Sequence, residues 1–307
     1  MKILDSIEEL SALRGPIVLV AGTFDGVHLG HQALIRRALS EASACGGTAV
    51  VMTFDRHPAS LLRPGVAPRL LTRNDEKIIL LEGIGVSNLL MLEFTKELSA
   101  ITASNFVDSL DASCTPLHAL CVGSEWSFGK GGEGNVDLLK EIGSQRGFSV
   151  IRIDPIQSAD VPISSTRIRA AIAKGDLSDA ALCLGRPFLL TGTVVPGAGL
   201  GATIGFPTAN LDVSAMQLPP DGVYAVKALI DGSNLTGVCN IGLRPTVDAS
   251  GKNRTVEVHL FDFCENLVGC EISLEFVKFL RGERKFACLE ELKKQIGQDC
   301  DSARANF

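Results

Sequence analysis

The residue types with the clearest chemical meaning lie in residues 22–32, which read GTFDGVHLGHQ. Two histidines, His28 and His31, stand three positions apart among glycines. The segment follows an apolar run over 17–21 and precedes a helical pattern over 32–44, so it is predicted to be a strand-to-helix turn. Such a turn gathers backbone N–H groups at the positive end of a helix, where imidazoles can also donate to phosphate. We interpret the segment as a phosphate site; the alternative is an ordinary glycine-rich turn with surface histidines.

Length, charge and cysteine content limit the class of protein. The chain has 307 residues, a length typical of two domains. Its net charge of −6 argues against a general nucleic-acid-binding protein, which needs a basic surface. The nine cysteines include no Cys-x-x-Cys pair, and their odd number is typical of reduced thiols. No apolar run reaches the length of a membrane span, so we expect a cytoplasmic protein without a membrane or nucleic-acid partner.

The first half of the chain alternates short apolar runs with segments of helical periodicity. This alternation predicts a Rossmann-like α/β domain with a doubly wound parallel sheet. The predicted strands span residues 17–21, 48–54, 88–94, 118–122 and 149–153. Ligands of such sheets bind beyond the carboxyl ends of the strands, where His28, Asp55 and Gly123 are expected to converge. Thr72, with Asp75 three residues later, is predicted to cap a helix.

A second segment with chemical meaning covers residues 163–169, which read ISSTRIR and begin a helical pattern that runs to about residue 174. Its three hydroxyls can cap the helix and bind an anion, and Arg167 adds a cation. Taken by itself, the segment also fits a plain helix cap with a solvated arginine. Together with the histidine segment, it is predicted to form the second side of a triphosphate site.

The character of the sequence changes near residue 185. From there, short β-type runs separated by glycine, proline and aspartate predict a small antiparallel barrel. The runs span residues 189–195, 222–230, 236–241, 255–261 and 270–279. An amphipathic helix over 288–298 follows, with Leu289, Leu292 and Ile296 expected to face inward. The predicted domains are therefore residues 1–184 and 185–307.

Residues 197–210 form a glycine-rich stretch that ends in Gly-Phe-Pro-Thr-Ala-Asn. Small residues let a backbone lie against a phosphate chain, and Thr208 and Asn210 offer neutral oxygens to Mg²⁺. Glu257 lies in an alternating strand pattern and is a candidate general base for a hydroxyl. The alternative for the glycine-rich stretch is an ordinary flexible loop, and the alternative for Glu257 is a solvent-exposed carboxylate on a strand.

In these motifs, in their order and in their spacing, the chain resembles the bifunctional bacterial riboflavin kinase/FMN adenylyltransferase family, also called FAD synthetase. The resemblance extends over nearly the whole chain. It rests on residues 22–32, 53–58, 122–129, 163–169, 205–211, 220–225, 240–246, 256–260 and 279–286. It implies that the C-terminal barrel phosphorylates riboflavin with ATP and Mg²⁺ to give FMN. The N-terminal nucleotidyltransferase domain would then transfer AMP from ATP to FMN, which gives FAD and pyrophosphate.

The resemblance also implies roles for residues of the adenylyltransferase half. His28 and His31 would be catalytic, stabilising charge on the transferred phosphoryl group. The implied ATP-binding residues are Gly22, Phe24, Asp25, His28, His31, Ser164, Thr166 and Arg167. Of these, Ser164, Thr166 and Arg167 would hold the outgoing pyrophosphate. The implied flavin-binding residues are Phe54, His57, Pro58 and Glu125.

In the kinase half, the resemblance implies that Gly205, Thr208 and Asn210 bind ATP and that Thr208 and Asn210 hold Mg²⁺. Glu257 would be catalytic, deprotonating the ribityl 5′-hydroxyl. Glu257 and Arg281 would both lie at the flavin.

The chain departs from the family pattern at three places. Arg56 stands where the family usually has proline, and Glu125-Trp126 stands where Asp or Asn followed by Phe is common. Residues 200–202 read Leu-Gly-Ala where the kinase loop often carries Arg-Gly-Arg. The last departure raises an alternative, in which only the adenylyltransferase half is active and the barrel is a degenerate flavin-binding module. A non-catalytic flavin sensor is a further alternative, and the motifs of both halves together with Glu257 argue against it. A nucleotidyltransferase for another small phosphate, such as a cytidylyltransferase, is not excluded by the N-terminal motifs alone, but the C-terminal barrel excludes it.

Overall fold

The computed structural model describes residues 1–197, 199–243 and 254–307. It divides into two compact units, Met1–Ser165 and Thr166–Phe307. Residues 244–246 of one family motif lie outside the described residues. The limits 1–184 and 185–307 remain a prediction for the functional domains.

The first unit is built on a parallel six-stranded sheet in the order β1-β4-β3-β2-β5-β6. Its strands are β1 (Lys2–Leu4), β2 (Ile17–Ala21), β3 (Thr48–Phe54), β4 (Asn88–Leu92), β5 (Leu117–Gly123) and β6 (Ser149–Ile153), and a two-stranded ribbon of β7 (Gln157–Ser158) and β8 (Val161–Pro162) follows. Its α-helices are α1 (Leu29–Cys45), α2 (Pro58–Leu62), α3 (Asn74–Gly83), α4 (Lys96–Ser99), α5 (Ala103–Ser113) and α6 (Val136–Arg146). Short 3₁₀ helices cover Ile7–Ala12, Pro64–Val66 and Lys130–Gly132.

The sheet is covered on both faces, as the apolar strand sequences require. All five residues of β2 are buried, and alternate positions belong to two separate hydrophobic clusters. One cluster contains the inner face of α1, and the other contains residues of α5 and α6. Strand order reverses between β2 and β5, so the carboxyl ends of these two strands border the crevice where such folds bind ligands.

The second unit contains a closed antiparallel barrel in the order β10-β13-β12-β11-β14-β9. Its strands are β9 (Leu189–Val195), β10 (Ala209–Asp212), β11 (Gly222–Ile230), β12 (Ser233–Leu243), β13 (Arg254–Leu260) and β14 (Glu271–Arg281). Its helices are α7 (Ser165–Lys174, whose first residue ends the first unit), α8 (Leu177–Leu184), α9 (Leu200–Thr203) and α10 (Leu289–Arg304). Cys300 and Ala303 of α10 pack into the apolar cluster at the barrel.

The predicted fold class is confirmed, but three local predictions were wrong or incomplete. Thr72 does not cap α3, which starts at Asn74 after Arg73; the Thr72 hydroxyl instead accepts a hydrogen bond from the Gly26 N–H. Leu289 is 48% exposed, because the inward face of α10 lies further along the helix. Strands β1 and β10 were not predicted, since each has only three or four residues and is defined by its pairing partners.

Candidate active sites

The turn between β2 and α1 has an unusual backbone. Phe24 and Val27 adopt φ values of 48° and 39°, and Gly26 between them has a φ of 87°. Left-handed backbone at residues other than glycine costs about 1–2 kcal/mol each, so the surroundings must hold this conformation in place. The Phe24 and Val27 side chains are fully buried in the hydrophobic core, which supplies part of that restraint.

Asp25 supplies the rest of the restraint through hydrogen bonds. Its side chain is buried, and Oδ1 accepts from the Leu71 N–H at 3.0 Å, the Thr72 N–H at 3.1 Å and the Thr72 hydroxyl at 3.4 Å. The Thr72 Oγ1 in turn accepts from the Gly26 N–H at 3.1 Å. The turn is therefore bonded to a segment more than forty residues away. The predicted ATP-binding role of Asp25 remains a prediction, and these contacts give it a clear anchoring role.

The two histidines of the turn pack against each other. His28 is the N-cap of α1, and its Nδ1 accepts a hydrogen bond from the His31 N–H at 3.3 Å. The two rings are stacked with their centroids 3.5 Å apart, and the edge of Phe24 meets His31 at 5.2 Å. Within the described residues, the buried Nδ1 atom of His31 has no hydrogen-bond partner. The predicted pair is thus one preformed unit at the start of a helix.

The environment keeps His31 neutral. Burial lowers the pKa of His31 well below 6.5, and the nearby charges of His28 and Lys77 lower it further. An anion placed here would raise the pKa of His31, because a negative charge favours the protonated imidazole. Lys77 of α3 is itself buried. It was not among the predicted site residues, because a lysine in a helical pattern is normally expected to face solvent.

The second predicted motif reaches the same turn at Ser165, the first residue of α7. The Ser165 hydroxyl donates to the Asp25 carbonyl at 2.9 Å, so the two segments meet despite a separation of 140 residues. In the second unit, Thr166 is exposed and Arg167 donates from Nε to Asp179 of α8 at 3.1 Å. This ion pair raises the pKa of Arg167 and lowers that of Asp179. The predicted phosphate-binding roles of Ser164, Thr166 and Arg167 remain predictions.

An apolar cavity of about 200 Å³ opens at the carboxyl end of the sheet. Phe54 and Pro58, both predicted to bind flavin, line it, and so does Gly22 at the start of the histidine turn. Aromatic residues that were not predicted complete the wall: Phe94, Phe106, Trp126 and Phe128. Trp126 and Phe128 are stacked at 4.5 Å, and they lie in the quoted motif 122–129, which was the available signal.

Two other predicted flavin-binding residues do not line this cavity. His57 instead caps α2, where its Nδ1 accepts from the Ala59 N–H at 3.1 Å. Glu125 is exposed to solvent. Arg56, where the family usually has proline, pairs with Asp55 at 2.9 Å and Glu93 at 3.7 Å. The arginine charge is therefore partly neutralised by its neighbours.

In the barrel, strand register brings together residues that are far apart in sequence. Glu257 of β13 pairs with Asn210 of β10 on one side and Asn240 of β12 on the other. Directly paired residues point to the same face of a sheet, so the three polar side chains form a row across three strands. The adjoining loop requires glycine at two positions. A Cβ atom at Gly197 would collide with the Asn210 amide, and one at Gly201 would collide with the Phe206 carbonyl.

Two cavities of the barrel share Thr208. The first, of about 240 Å³, is lined by Glu257, Asn240 and Arg281 together with Phe206 and Phe286. The second, of about 200 Å³, is lined by Gly197, Asn210 and the segment 263–268. Gly205 precedes Thr208 by three residues and has a φ of 90°, a backbone conformation that favours glycine. Thr208 therefore borders both cavities.

Arg281 is held by the C-terminal helix. Its guanidinium donates to both carboxylate oxygens of the buried Asp299, with distances of 2.7–3.1 Å. Gln295 also donates to Asp299, at 2.9 Å. These hydrogen bonds to Asp299 orient the Arg281 guanidinium at the wall of the first barrel cavity.

Thr208 and Asn210 carry neutral oxygen atoms of a kind that can bind a metal ion. No group of three or more His, Cys, Asp or Glu side chains that could hold a metal occurs in the described ranges. Mg²⁺ does not need such a group, because it keeps several waters and binds through one or two protein oxygens plus substrate phosphates. The Thr208 hydroxyl and the Asn210 amide oxygen match that requirement.

Together, the fold and the two sites define a two-unit protein, with a Rossmann-like domain of the nucleotidyltransferase type and a β-barrel with adjoining cavities. Comparison with known proteins specifies the family. The family model for FAD synthetase matches residues 11–167, and that for riboflavin kinase matches residues 184–307. The chain belongs to the bifunctional riboflavin kinase/FMN adenylyltransferase family.

Similar proteins match nearly the full length of the chain. The bifunctional riboflavin kinase/FMN adenylyltransferase of Escherichia coli (strain K12) is 40% identical over 309 residues, covering 100% of this chain and 98% of that protein. The Bacillus subtilis (strain 168) protein of the same name is 37% identical over 294 residues, covering 94% and 92%. A Streptococcus pneumoniae crystal structure, named a macrolide-efflux protein, superposes with a TM-score of 0.81 at 28% identity and full coverage of both chains. Each helix in the described ranges is too short or too polar to span a lipid bilayer.

Proposed function

We propose that the first unit carries the FMN adenylyltransferase site around the β2–α1 turn and the aromatic cavity. The observation that carries this proposal is the position of Gly22, which lines the cavity and begins the histidine turn. A flat aromatic ring system in the cavity would therefore place its attached phosphate next to His28 and His31. Stacked and edge-on aromatic contacts favour a planar ligand such as the flavin ring.

The reaction at this site is a displacement at the α-phosphorus of ATP. A phosphate oxygen of FMN forms a new bond to the α-phosphorus of ATP. The bond from the α-phosphorus to the oxygen that bridges the α- and β-phosphates breaks, and pyrophosphate leaves. Such a reaction depends mainly on positioning and on stabilising charge. The helix N-terminus, His28 and His31 are suited to that task, and in our proposal Ser164, Thr166 and Arg167 hold the pyrophosphate.

The barrel belongs to the riboflavin kinase half of the chain, and we further propose that ATP binds in the cavity at Asn210 and riboflavin in the cavity at Glu257 and Arg281. Glu257 accepts the proton of the ribityl 5′-hydroxyl as its oxygen attacks the γ-phosphorus of ATP, and ADP leaves. Thr208 lies between the two cavities, as a transfer from one to the other requires. Thr208 and Asn210 would hold Mg²⁺, which would neutralise charge on the ATP phosphates.

The proposal includes ATP as the co-substrate of both halves, and a cytoplasmic location. All nine cysteines are free in the structure, which supports a reducing compartment.

A product series tests the two activities. The protein is incubated with riboflavin, ATP and Mg²⁺, and flavins are separated by chromatography over time. We expect FMN to appear first and FAD to follow. If FMN supplied directly is converted to FAD but riboflavin yields neither product, only the adenylyltransferase half is active. The uncharged loop residues Leu200 and Ala202 are the reason to test this second candidate.

Two variants assign the activities to the sites. His28→Ala should abolish FAD formation from FMN and leave riboflavin phosphorylation near wild type, and Glu257→Ala should do the reverse. Equal loss of both activities in either variant would contradict separate sites. Trp126, the single tryptophan of the chain, gives a direct binding signal, because flavin bound in the aromatic cavity should quench its fluorescence.

A further inference from the structure

Lys77 is the one lysine or arginine that is buried in the parts of the chain that the structure describes. It lies on α3 with 6% of its surface exposed. Lysine is rarely buried this completely unless its charge is paired. Here the ammonium group makes neither a hydrogen bond nor a close ion pair with any other described residue, although its nitrogen atom is not itself among the fully buried atoms that lack a partner.

The two carboxylates that attract Lys77 are already bonded to other groups. Asp25 accepts hydrogen bonds from the Leu71 and Thr72 N–H groups. Asp55 accepts from the Phe94 N–H and from Arg56. Burial lowers the pKa of Lys77 by more than Asp25 and Asp55 raise it, so the charged form is less favourable here than in water. A lysine with a largely buried side chain, a lowered pKa and no partner for its ammonium group is a candidate for a ligand-binding residue.

The neighbouring groups indicate which ligand would complete it. Leu71 and Thr72, just before α3, are hydrogen-bonded to Asp25 and Gly26, so the start of the helix that carries Lys77 lies beside the histidine turn. The Lys77 charge also lowers the pKa of His31. The buried Nδ1 of His31 also lacks a partner within the described residues. Two nitrogen groups without partners therefore lie together beside the N-terminus of α1, which favours an anion with several oxygens.

We propose that the Lys77 ammonium binds a phosphate oxygen in the adenylyltransferase site, beside His31. This inference rests on the phosphate site proposed at the β2–α1 turn. The phosphate belongs either to the ATP triphosphate or to FMN, and both present the same chemistry to a lysine. A structural role is the competing explanation, in which Lys77 only balances the charges of Asp25 and Asp55.

The test compares Lys77→Met, which keeps an unbranched apolar side chain, with Lys140→Met, which removes an exposed lysine on α6. FAD formation is measured with ATP varied and with FMN varied, and inhibition by inorganic pyrophosphate is measured as well. For Lys77→Met we expect kcat/KM to fall about 10- to 100-fold for at least one substrate, the range of a lost charge-assisted hydrogen bond. Weaker pyrophosphate inhibition assigns the contact to the nucleotide, and a loss confined to FMN assigns it to the FMN phosphate.

Stability separates the binding role from the structural one. Because burial disfavours the charged form of Lys77 relative to water, Lys77→Met should unfold at the same or a higher urea concentration than wild type, as measured by Trp126 fluorescence. Riboflavin phosphorylation should match wild type, and Lys140→Met should be unchanged in every assay. Two results would overturn the proposal: FAD formation within about twofold of wild type for both substrates, or a loss of activity that accompanies a loss of stability. If both His28→Ala and Lys77→Met retain FAD formation, the proposed phosphate site at the β2–α1 turn is wrong. If only Lys77→Met retains it, the phosphate site stands and the proposed role of Lys77 is wrong.

Discussion

Replacing Asp25 tests whether its carboxylate anchors the histidine turn. In Asp25→Ala the buried N–H groups of Leu71 and Thr72 lose their common acceptor. A buried donor left without a partner costs about 1–3 kcal/mol. The free energy of unfolding should therefore fall by about 2–6 kcal/mol, a large part of the 5–15 kcal/mol typical of a folded domain.

Asp25→Asn is the informative partner variant. An asparagine retains a side-chain oxygen for the two N–H groups, but it loses the charge and replaces the other oxygen by an NH2 donor, so the expected destabilisation is about 1–2 kcal/mol. Asp154→Ala is the matched control, since Asp154 is a highly exposed carboxylate of the same unit. Its loss should change stability by less than about 0.5 kcal/mol.

Urea unfolding followed by Trp126 fluorescence measures these differences, because the single tryptophan lies in the first unit. FAD formation from FMN should decrease in step with stability, since the backbone of Phe24 and Val27 relaxes once the turn is released. Riboflavin phosphorylation should remain at the wild-type rate. If Asp25→Ala unfolds at the wild-type urea concentration while its KM for ATP rises sharply, Asp25 acts by contacting the nucleotide and the anchoring argument is wrong.

Three further predictions follow from the site geometry. Because the folded pKa of His31 lies below 6.5, its unfolded form takes up a proton first, so stability should fall as pH decreases from about 6.5 towards the folded pKa. ATP binding in this pH range should be accompanied by proton uptake. If neither the stability nor the ATP binding depends on pH here, the conclusion that His31 is neutral in the free protein is wrong. Asp299→Asn should weaken the fork to Arg281 and raise the KM for riboflavin, with FAD formation from FMN unaffected; an unchanged KM would show that Arg281 needs no support from α10. Gly197→Ala should displace the Asn210 amide and lower the kinase rate by about 10-fold or more, while Gly297→Ala, with open space around its Cβ, should not; equal rates would argue against Asn210 as a ligand.

Much of the fold was predictable because its signals are local. Strands 17–21, 48–54, 149–153, 189–195 and 222–230 have the predicted bounds, since each is a short apolar, β-rich run. The prediction failed where pairing partners decide the structure. Strand β10 has four residues beside a glycine-rich loop, and only its pairing with β9 and β13 makes it part of the barrel.

Thr72 shows why local patterns can mislead. A threonine three residues before an acid is typical of a helix cap. In the folded protein its hydroxyl is bonded to Gly26 and Asp25, and α3 starts after Arg73 without a side-chain cap. A tertiary hydrogen bond between distant segments overrides the local preference, and no nearby residue signals it.

The sequence by itself determined the chemical groups of both sites. His28, His31, Thr208, Asn210 and Glu257 stand in short motifs whose composition and spacing already indicate phosphate and hydroxyl chemistry. The tertiary structure decided which groups meet. Barrel register aligns Asn210 with Glu257, sheet order opens the aromatic cavity beside Gly22, and helix packing buries Lys77 near His31. The physical reason is that these contacts join segments far apart in the chain, so only long-range packing and pairing can specify them.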